Sequence, residues 1–451
     1  MNKYIPYNRT QAYLLPPSLE DWLPDNHLAR FIVEITEQLD ISSIDKHYAN
    51  NKGGNLAYNP KILLGLLFYG YATGLFSSRK IERATYDSVA FRYIAANTHP
   101  DHDTIATFRK RFLNELGVLF VQVLTIAQNA GVLKVGKISL DGTKIKANAS
   151  KHKALSYAHA SKLEEQLQEE VKILMLKAKK ADEDDTPDGM NIPDELSRRE
   201  DRLRVIKEAK EKIEERSKER YEKEEVVYQQ KIQKRQAKEK LSGKKPRGKI
   251  PIPPSKDIKP TEQVNLTDEE SRIMKTSGGG FEQCYNAQAS VEHDSRLIVH
   301  QHVTQNTNDK QEIQPTLQWF QKNPQLKPAS ILADAGYFSE TNIKQCEEEN
   351  LTPYISFGKE QHNQPLEMRF KDEEPLPKNP TSIERMKHRL QTKEGKEMYA
   401  KRKSTVEPVF GIIKHVIGFR QFMLRGFENA KGEWNLICLA YNLKRLHTIR
   451  G

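Results

Sequence analysis

Three acidic residues stand where they could do chemistry together. Glu407 lies in KEMYAKRKSTVEPVFGIIKHVIGFRQFMLR, residues 396–425, where seven Lys and Arg face only two acids, a net charge of +5. Val406, Val409, Phe410, Ile413, Val416 and Ile417 recur there at steps of three and four, the buried stripe of a helix. Pro408 is tolerated only in a helix's first turn, so Glu407 is expected at the helix start. A lone carboxylate ringed by cations is a place for phosphate, and a carboxylate faces phosphate through a metal ion. Asp141 follows a period-two run of Val132, Val135, Ile138 and Leu140, with Ile145 beyond it, so it sits near the end of a strand. Asp334 closes the short apolar run ILA before a small-residue turn, where α/β sheets hold ligand chemistry. Singly, each has a plainer reading: a solvated acid on an amphipathic helix or, for Asp141-Gly142, a hairpin dipeptide. Together they ask for a shared cation, because an acid in an apolar strand is costly when unpaired.

The elements that must position these acids alternate along the chain. Residues 1 to about 133 read as helical. Asp25 is placed to cap a helix over residues 27–39, and Asn59-Pro60 opens an apolar core helix. Ser77 or Ser78 caps a short helix, and Asp103 caps another near Thr104. Arg79, Lys80, Arg83, Arg92, Arg109, Lys110 and Arg111 on these short helices suit a helix-turn-helix-like DNA-binding unit; the plainer alternative is a bundle with a basic surface.

From about Leu155 to Lys240 the composition turns to Lys, Glu, Arg and Gln, and residues 161–240 hold 21 basic and 22 acidic side chains. Leu163, Leu167, Val171 and Leu174 form one stripe; Leu203, Ile206, Ala209 and Ile213 form another, with DEDDTPDGMNIP between them. This predicts a helical hairpin or coiled-coil-like arm, either solvated or used in oligomerisation. Residues 241–260 hold six cations and one acid among Pro and Gly, a mobile basic linker that could lie along DNA. A hairpin then turns at His293-Asp294-Ser295. Asn308 or Asp309 caps a helix to Phe320, a strand reaches Asp334, Ser339 caps a helix to about Asn350, and LTPYISF is a strand. Residues 358–395 read as a polar loop. His293, His300 and His302 are assigned to packing or surface.

At 451 residues the chain can hold two or three domains, and its net charge of +11 points to a polyanionic partner. No apolar run is long enough to span a bilayer, and the first 18 residues lack a signal peptide's apolar core. Cys284, Cys346 and Cys438 are too scattered for a disulfide framework or a metal knuckle. A cytoplasmic protein is expected.

Strand with Asp141, insertion, hairpin, helix, strand with Asp334, helix, strand, helix with Glu407 is, insertion apart, the order of a ribonuclease-H-like fold. With its motifs, the chain resembles the DDE transposases of bacterial insertion sequences, in the insertion-sequence-five superfamily with a helical amino-terminal domain. ISLDGTKIKANAS resembles that family's first-Asp motif, ILADAGYFS the second, and Y-x2-R…VEPVFGIIK the signature around the Glu. HPDHDTIATFRKRF and EWNLICLAYNLKRL are similar to it as well.

The resemblance implies an α/β fold: a ribonuclease-H-like catalytic core with an all-α amino-terminal domain and an inserted helical, coiled-coil-like arm. The domains would be 1–133 (helical, DNA-binding), 134–154 with 262–451 (catalytic) and 155–261 (arm and basic linker). Asp141, Asp334 and Glu407 would be catalytic and bind two Mg2+ or Mn2+ ions. Tyr399, Arg402 and Lys414 would contact phosphates of the transposon end. Four residues separate Arg402 from Glu407 where the signature has three, and Lys403 holds the three-residue spacing, so either cation can fill that place. The implied partners are transposon-end and target DNA and a second subunit in a paired-end homodimer. There is no membrane partner, and the protein joins the nucleoid when bound to DNA. Two rivals remain: a nuclease of the same fold that cuts without joining, and a catalytically inactive DNA-binding regulator, against which the three intact acids count.

Overall fold

Caps and apolar runs set the first helices of the computed structural model, which describes residues 18–48, 57–184, 192–243, 248–276, 278–358 and 375–450. Helix α1 (Leu28–Gln38) starts at His27, whose ring accepts the Ala29 amide; Asp25, the expected cap, lies two residues too early. After α2 (Ser42–Tyr48), Asn59 caps α3 (Pro60–Thr73) as expected, and α3 is buried on nearly every face from Leu63 to Ala72. Helices α4 (Ser78–Asp87) and α5 (Val89–Ile94) precede α6 (His102–Arg111). The cap of α6 is Asp101, which accepts the Thr104 amide; Asp103, the expected cap, is already inside the helix. Helix α7 (Glu115–Asn129) completes the series.

Strand β1 (Lys137–Lys146) passes through Asp141 and Gly142 without turning, which removes the hairpin reading and puts Asp141 mid-strand. Next come β2 (Ala154–Ser156), α8 (Tyr157–Asp184), α9 (Ile192–Ser242), β3 (Gln263–Asn265) and β4 (Arg272–Lys275). The expected hairpin is β5 (Phe281–Glu292) with β6 (Ile298–Thr304). Helix α10 (Ile313–Lys322) begins later than expected and has no side-chain cap, so neither Asn308 nor Asp309 plays that part. Strand β7 (Ser330–Ala333), Ser339-capped α11 (Glu340–Glu348) and β8 (Thr352–Ile355) follow as predicted.

Part of the expected polar loop is helical instead. Thr381 and Glu384 form a reciprocal cap on α12 (Ser382–Gln391), and Thr392 caps α13 (Lys393–Gly411). Residues 359–374 of that loop lie outside the described residues. Glu407 and Pro408 therefore lie near the end of α13, not at its start. The proline removes one i→i−4 hydrogen bond, from the Ser404 carbonyl, but Ser404 is exposed and water can serve it. Four residues after Pro408 the helix widens into a π turn, Ile412–Val416, before α14 (Phe427–Arg450).

The chain divides into two compact units, Met1–Asn148 with Met274–Gly451, and Ala149–Ile273. In the first, the described strands form a mixed sheet in the order β4–β5–β1–β7–β8, with β6 also paired to β5. β5 is antiparallel to β1 and β6, whereas β7 is parallel to β1 and β8. Helix α14 is the hub of this unit, buried almost without break from Ala430 to Leu443. Its Asn442 side chain satisfies both backbone groups of Ile298 on β6, at 2.9 and 2.8 Å. Its Glu433 accepts from Tyr71 of α3 at 2.7 Å and from the Met423 and Leu424 amides.

In the second unit α8 and α9 form the predicted hairpin; residues 185–191, part of its expected break, lie outside the described residues. Leu155, Ala160, Leu167, Ile206, Ala209, Ile213 and Val264 share a small core, and β2 pairs antiparallel with β3 at its base. The linker departs from expectation. Arg235 of α9 donates to the Gly248 carbonyl at 3.1 Å, and the Lys256 ammonium lies 5.2 Å over the Tyr221 ring. Its described part is thus laid along α9; residues 244–247 lie outside the described residues.

Candidate active site

The parallel pairing of β1 with β7 ends at Ser139 opposite Leu332. Two residues beyond that pair stand Asp141, still within β1, and Asp334, just past the end of β7, so the two acids take matched positions where the two strands part. Parallel strands separate only when a ladder runs out, and there the side chains of both can meet a ligand. Asp334 caps the short turn Ala335–Tyr337, accepting the Gly336 amide at 2.8 Å.

Helix α13 brings the third acid. Its buried face runs through Arg402, Thr405, Val406, Val409 and Phe410. Arg402 therefore lies on the apolar stripe, one turn before Val406, while Lys403 is turned about 100° away and exposed. The Arg402 side chain, 9% exposed, reaches Asp141 Oδ2 at 3.1 Å and Glu407 Oε1 at 3.5 Å. It is the cation between the two acids, which are 18% and 53% exposed. Tyr399, one turn earlier, also contributes to its field. Burial opposes the guanidinium's charge, but Asp141, Tyr399, Asp334 and Glu407 hold its pKa above the ordinary value.

Burial raises Asp141; Arg402 opposes that shift and the nearby Asp334 carboxylate adds to it, leaving Asp141 at about 6. An acid that Arg402 leaves so reluctant to ionise has room for further positive charge. Among the described residues, no three His, Cys, Asp or Glu side chains are gathered closely enough to hold a metal ion. Arg402 occupies the space between Asp141 and Glu407. The donor set nevertheless suits a hard divalent ion: carboxylate oxygens from Asp141 within β1 and Asp334 just past β7, with Glu407 on the other side of the Arg402 guanidinium.

The remaining predicted cations divide. Lys414, in the π turn, donates to the Lys144 carbonyl of β1 at 3.2 Å, and burial lowers its pKa. Arg79 and Lys80 are exposed on α4. Arg109, expected at the DNA surface, is instead buried, donating to the Tyr71 hydroxyl at 3.0 Å and the Phe76 carbonyl at 2.7 Å. It sits at a helix position facing α3, so its charge serves packing. His293 bonds Ser139 at 3.0 Å, and burial pushes it down to about 4; His300 is buried against Trp319.

Sequence reasoning missed a group beside these acids. Asp309 Oδ1 accepts from Asn286 and Gln288, each at 2.7 Å, and the Gln288 carbonyl oxygen of the side chain accepts from the Tyr337 hydroxyl. The available signal was β5 itself, whose Asn286, Gln288 and Ser290 alternate with apolar residues yet are all buried.

Two family comparisons bear on this geometry. The family described as Transposase DDE domain matches residues 249–443, which include Asp334 and Glu407. The family described as Transposase domain (DUF772) matches residues 17–111. No curated protein and no solved structure matches the chain significantly. No described helix is long and apolar enough to cross a membrane. A helical transposase domain ahead of a DDE domain is the typical architecture of the insertion-sequence-five-like DDE transposases, and the chain belongs to that family.

Proposed function

We propose that this DNA transposase binds the terminal inverted repeats of its element, cleaves phosphodiester bonds there and joins the 3′-hydroxyl ends to target DNA. The observation that carries this reading is the matched placing of Asp141 and Asp334, each two residues past the last pair of the β1–β7 ladder, with Glu407 linked to Asp141 through Arg402. The strand order, three antiparallel strands followed by two parallel ones around β1, supports a ribonuclease-H-like core. On this reading residues 134–148 and 274–451 form the catalytic domain, 1–133 the DNA-binding domain and 149–273 an inserted arm, wider at each end than the sequence suggests.

Asp141, Asp334 and Glu407 would hold two Mg2+ or Mn2+ ions, which when bound stabilise the attacking and leaving oxygens of an in-line displacement. Arg402 bridges the part-buried Asp141 and the exposed Glu407, neutralising part of their charge. Lys403 is exposed on the same helix, so a phosphate could reach it from solvent. Lys414 fixes the π turn to β1 and so sets where Glu407 stands. Arg79 and Lys80 would add non-specific phosphate contacts; each contact removed should lower the salt dependence of binding by about one in slope.

The test is divalent-ion-dependent nicking and joining of DNA carrying the element's ends. Asp141→Asn, Asp334→Asn and Glu407→Gln should each abolish nicking while DNA binding persists. Full nicking by any one of them would remove that residue from the site. Nicking without joining would reduce the activity to a nuclease, and no nicking by the wild-type protein would leave a DNA-binding regulator.

A further inference from the structure

We propose that Asp309 is a positioning residue of this site, holding the middle of β1 that carries Asp141 and the turn that carries Asp334 through a buried amide network. The inference rests on the functional reading above and adds a residue outside the three acids.

Gly142 lies next to Asp141 and, because side chains alternate along a strand, faces the other side of the sheet. Gln288 of β5 is its direct partner in the ladder. The Gln288 side chain crosses Gly142 to reach Asp309, and a Cβ at Gly142 would lie 2.6 Å from Asp309 Oδ1. The space left by the missing side chain is therefore what lets the network form. Asp309 Oδ1 gathers two amide donors, Asn286 and Gln288, and stands 3.6 Å from the Lys144 ammonium of β1. The far end of Gln288 accepts from Tyr337, in the turn that Asp334 caps. Asp309 Oδ2 faces the same turn, 3.8 Å from where a Cβ at Gly336 would stand.

One carboxylate oxygen thus connects the backbone beside Asp141 to the turn beside Asp334. Asn286 also donates to the Asn306 carbonyl at 3.1 Å and Gln288 to Asn286 Oδ1 at 3.1 Å, so the network is cross-linked, and losing Asp309 removes the one acceptor that the two amides share. Apart from the ion pair with Lys144, the contacts here are hydrogen bonds to a single oxygen. An asparagine at position 309 can present a carbonyl oxygen to the same two amides; an alanine cannot.

The experiment compares Asp309→Ala, Asp309→Asn and Gly142→Ala with wild type in the full chain, each checked for cooperative unfolding. Two quantities are read: Mn2+ affinity by electron paramagnetic resonance, and kcat and KM for nicking. Asp309→Ala and Gly142→Ala should each lose roughly ten- to a hundredfold in Mn2+ affinity and kcat, with KM for DNA unchanged. Asp309→Asn should recover most of both losses. Wild-type behaviour of Asp309→Ala and Gly142→Ala overturns the proposal, and so does an Asp309→Asn as impaired as Asp309→Ala, which would make the charge the essential feature. Asp141→Asn run alongside separates the two readings. If it nicks normally the functional reading has failed; if it is inactive while Asp309→Ala is unimpaired, only the present inference has.

Discussion

The sheet unit and the helical arm are stabilised by different means. In the sheet unit Trp434, Tyr285, Tyr337 and Phe320 are fully buried, and Trp434 Nε1 donates to the Gln288 backbone carbonyl at 3.0 Å. In the arm the shared apolar core is thin, and Ile173, Met175, Leu176, Val226 and Val227 remain exposed. Ion pairs supply much of its contact between helices, such as Lys210 with Glu164 at 2.7 Å and Arg199 with Glu170 at 2.9 Å. Half-exposed ion pairs contribute little individually, whereas buried packing and satisfied networks specify one geometry. The sheet unit should therefore tolerate little change and the arm a good deal.

The largest effect expected is on chemistry. Asp141→Asn should reduce nicking by about a thousandfold or more. Replacing the arm between β2 and β3 by a flexible joint should leave nicking of a single end within roughly tenfold of wild type. If the arm's exposed apolar residues pair subunits, that deletion should still impair joining of two ends. Two-ended complexes assembled by the deletion protein at wild-type concentration would sink this role for the arm.

Stability offers the next contrast. Trp434→Ala should cost about 3–5 kcal/mol, against about 2–3 kcal/mol for Leu167→Ala in the arm. Calorimetry should show the first lowering the transition of the sheet unit and the second leaving it in place. A single transition lowered equally by both would mean that the units do not unfold separately.

A pH effect should follow for the metal-free protein. Burial raises Asp141 to about 6 from its ordinary value of 3.8. Below about pH 4 the group is protonated both folded and unfolded. Between about 4 and 6 the unfolded chain releases a proton that the folded chain keeps, so stability falls as pH rises and levels off above 6. The fall should be on the order of 3 kcal/mol, and Asp141→Asn should flatten it. Denaturant titrations at pH 4, 5, 6 and 7 would measure it; parallel curves for the two proteins would refute the assignment.

The smallest effect should be in the arm. Lys210→Met removes the pair with Glu164 and should cost under about 1 kcal/mol, less at high salt. A larger, salt-independent loss would show that the arm depends on specific polar packing after all.

Local chemistry determined a good deal by itself. Period two and period 3.6 separate in the sequence because each leaves its own spacing of apolar residues, so β1, β5, β7, β8 and the hairpin of α8 with α9 could be read directly. Asn59-Pro60 and Ser339 announced their helices because a cap acts on amides two or three residues away. Asp141 was legible as an acid that an apolar strand makes costly without a partner.

What the sequence left open was set by contacts between distant segments. Pro408 suggested a helix start, yet Thr392 caps α13 sixteen residues earlier and the interior proline is accommodated near the helix end. Arg402 and Lys403 could not be ranked by spacing; burial of one helix face selects Arg402 for the acids. Arg109 looked like a surface cation until α3 packed over it. Asp309 looked like a cap because caps are local, while its real partners, Asn286 and Gln288, are more than twenty residues back on β5. Whether a strand's polar face meets water or another layer depends on what packs over it, and only the tertiary structure decides that.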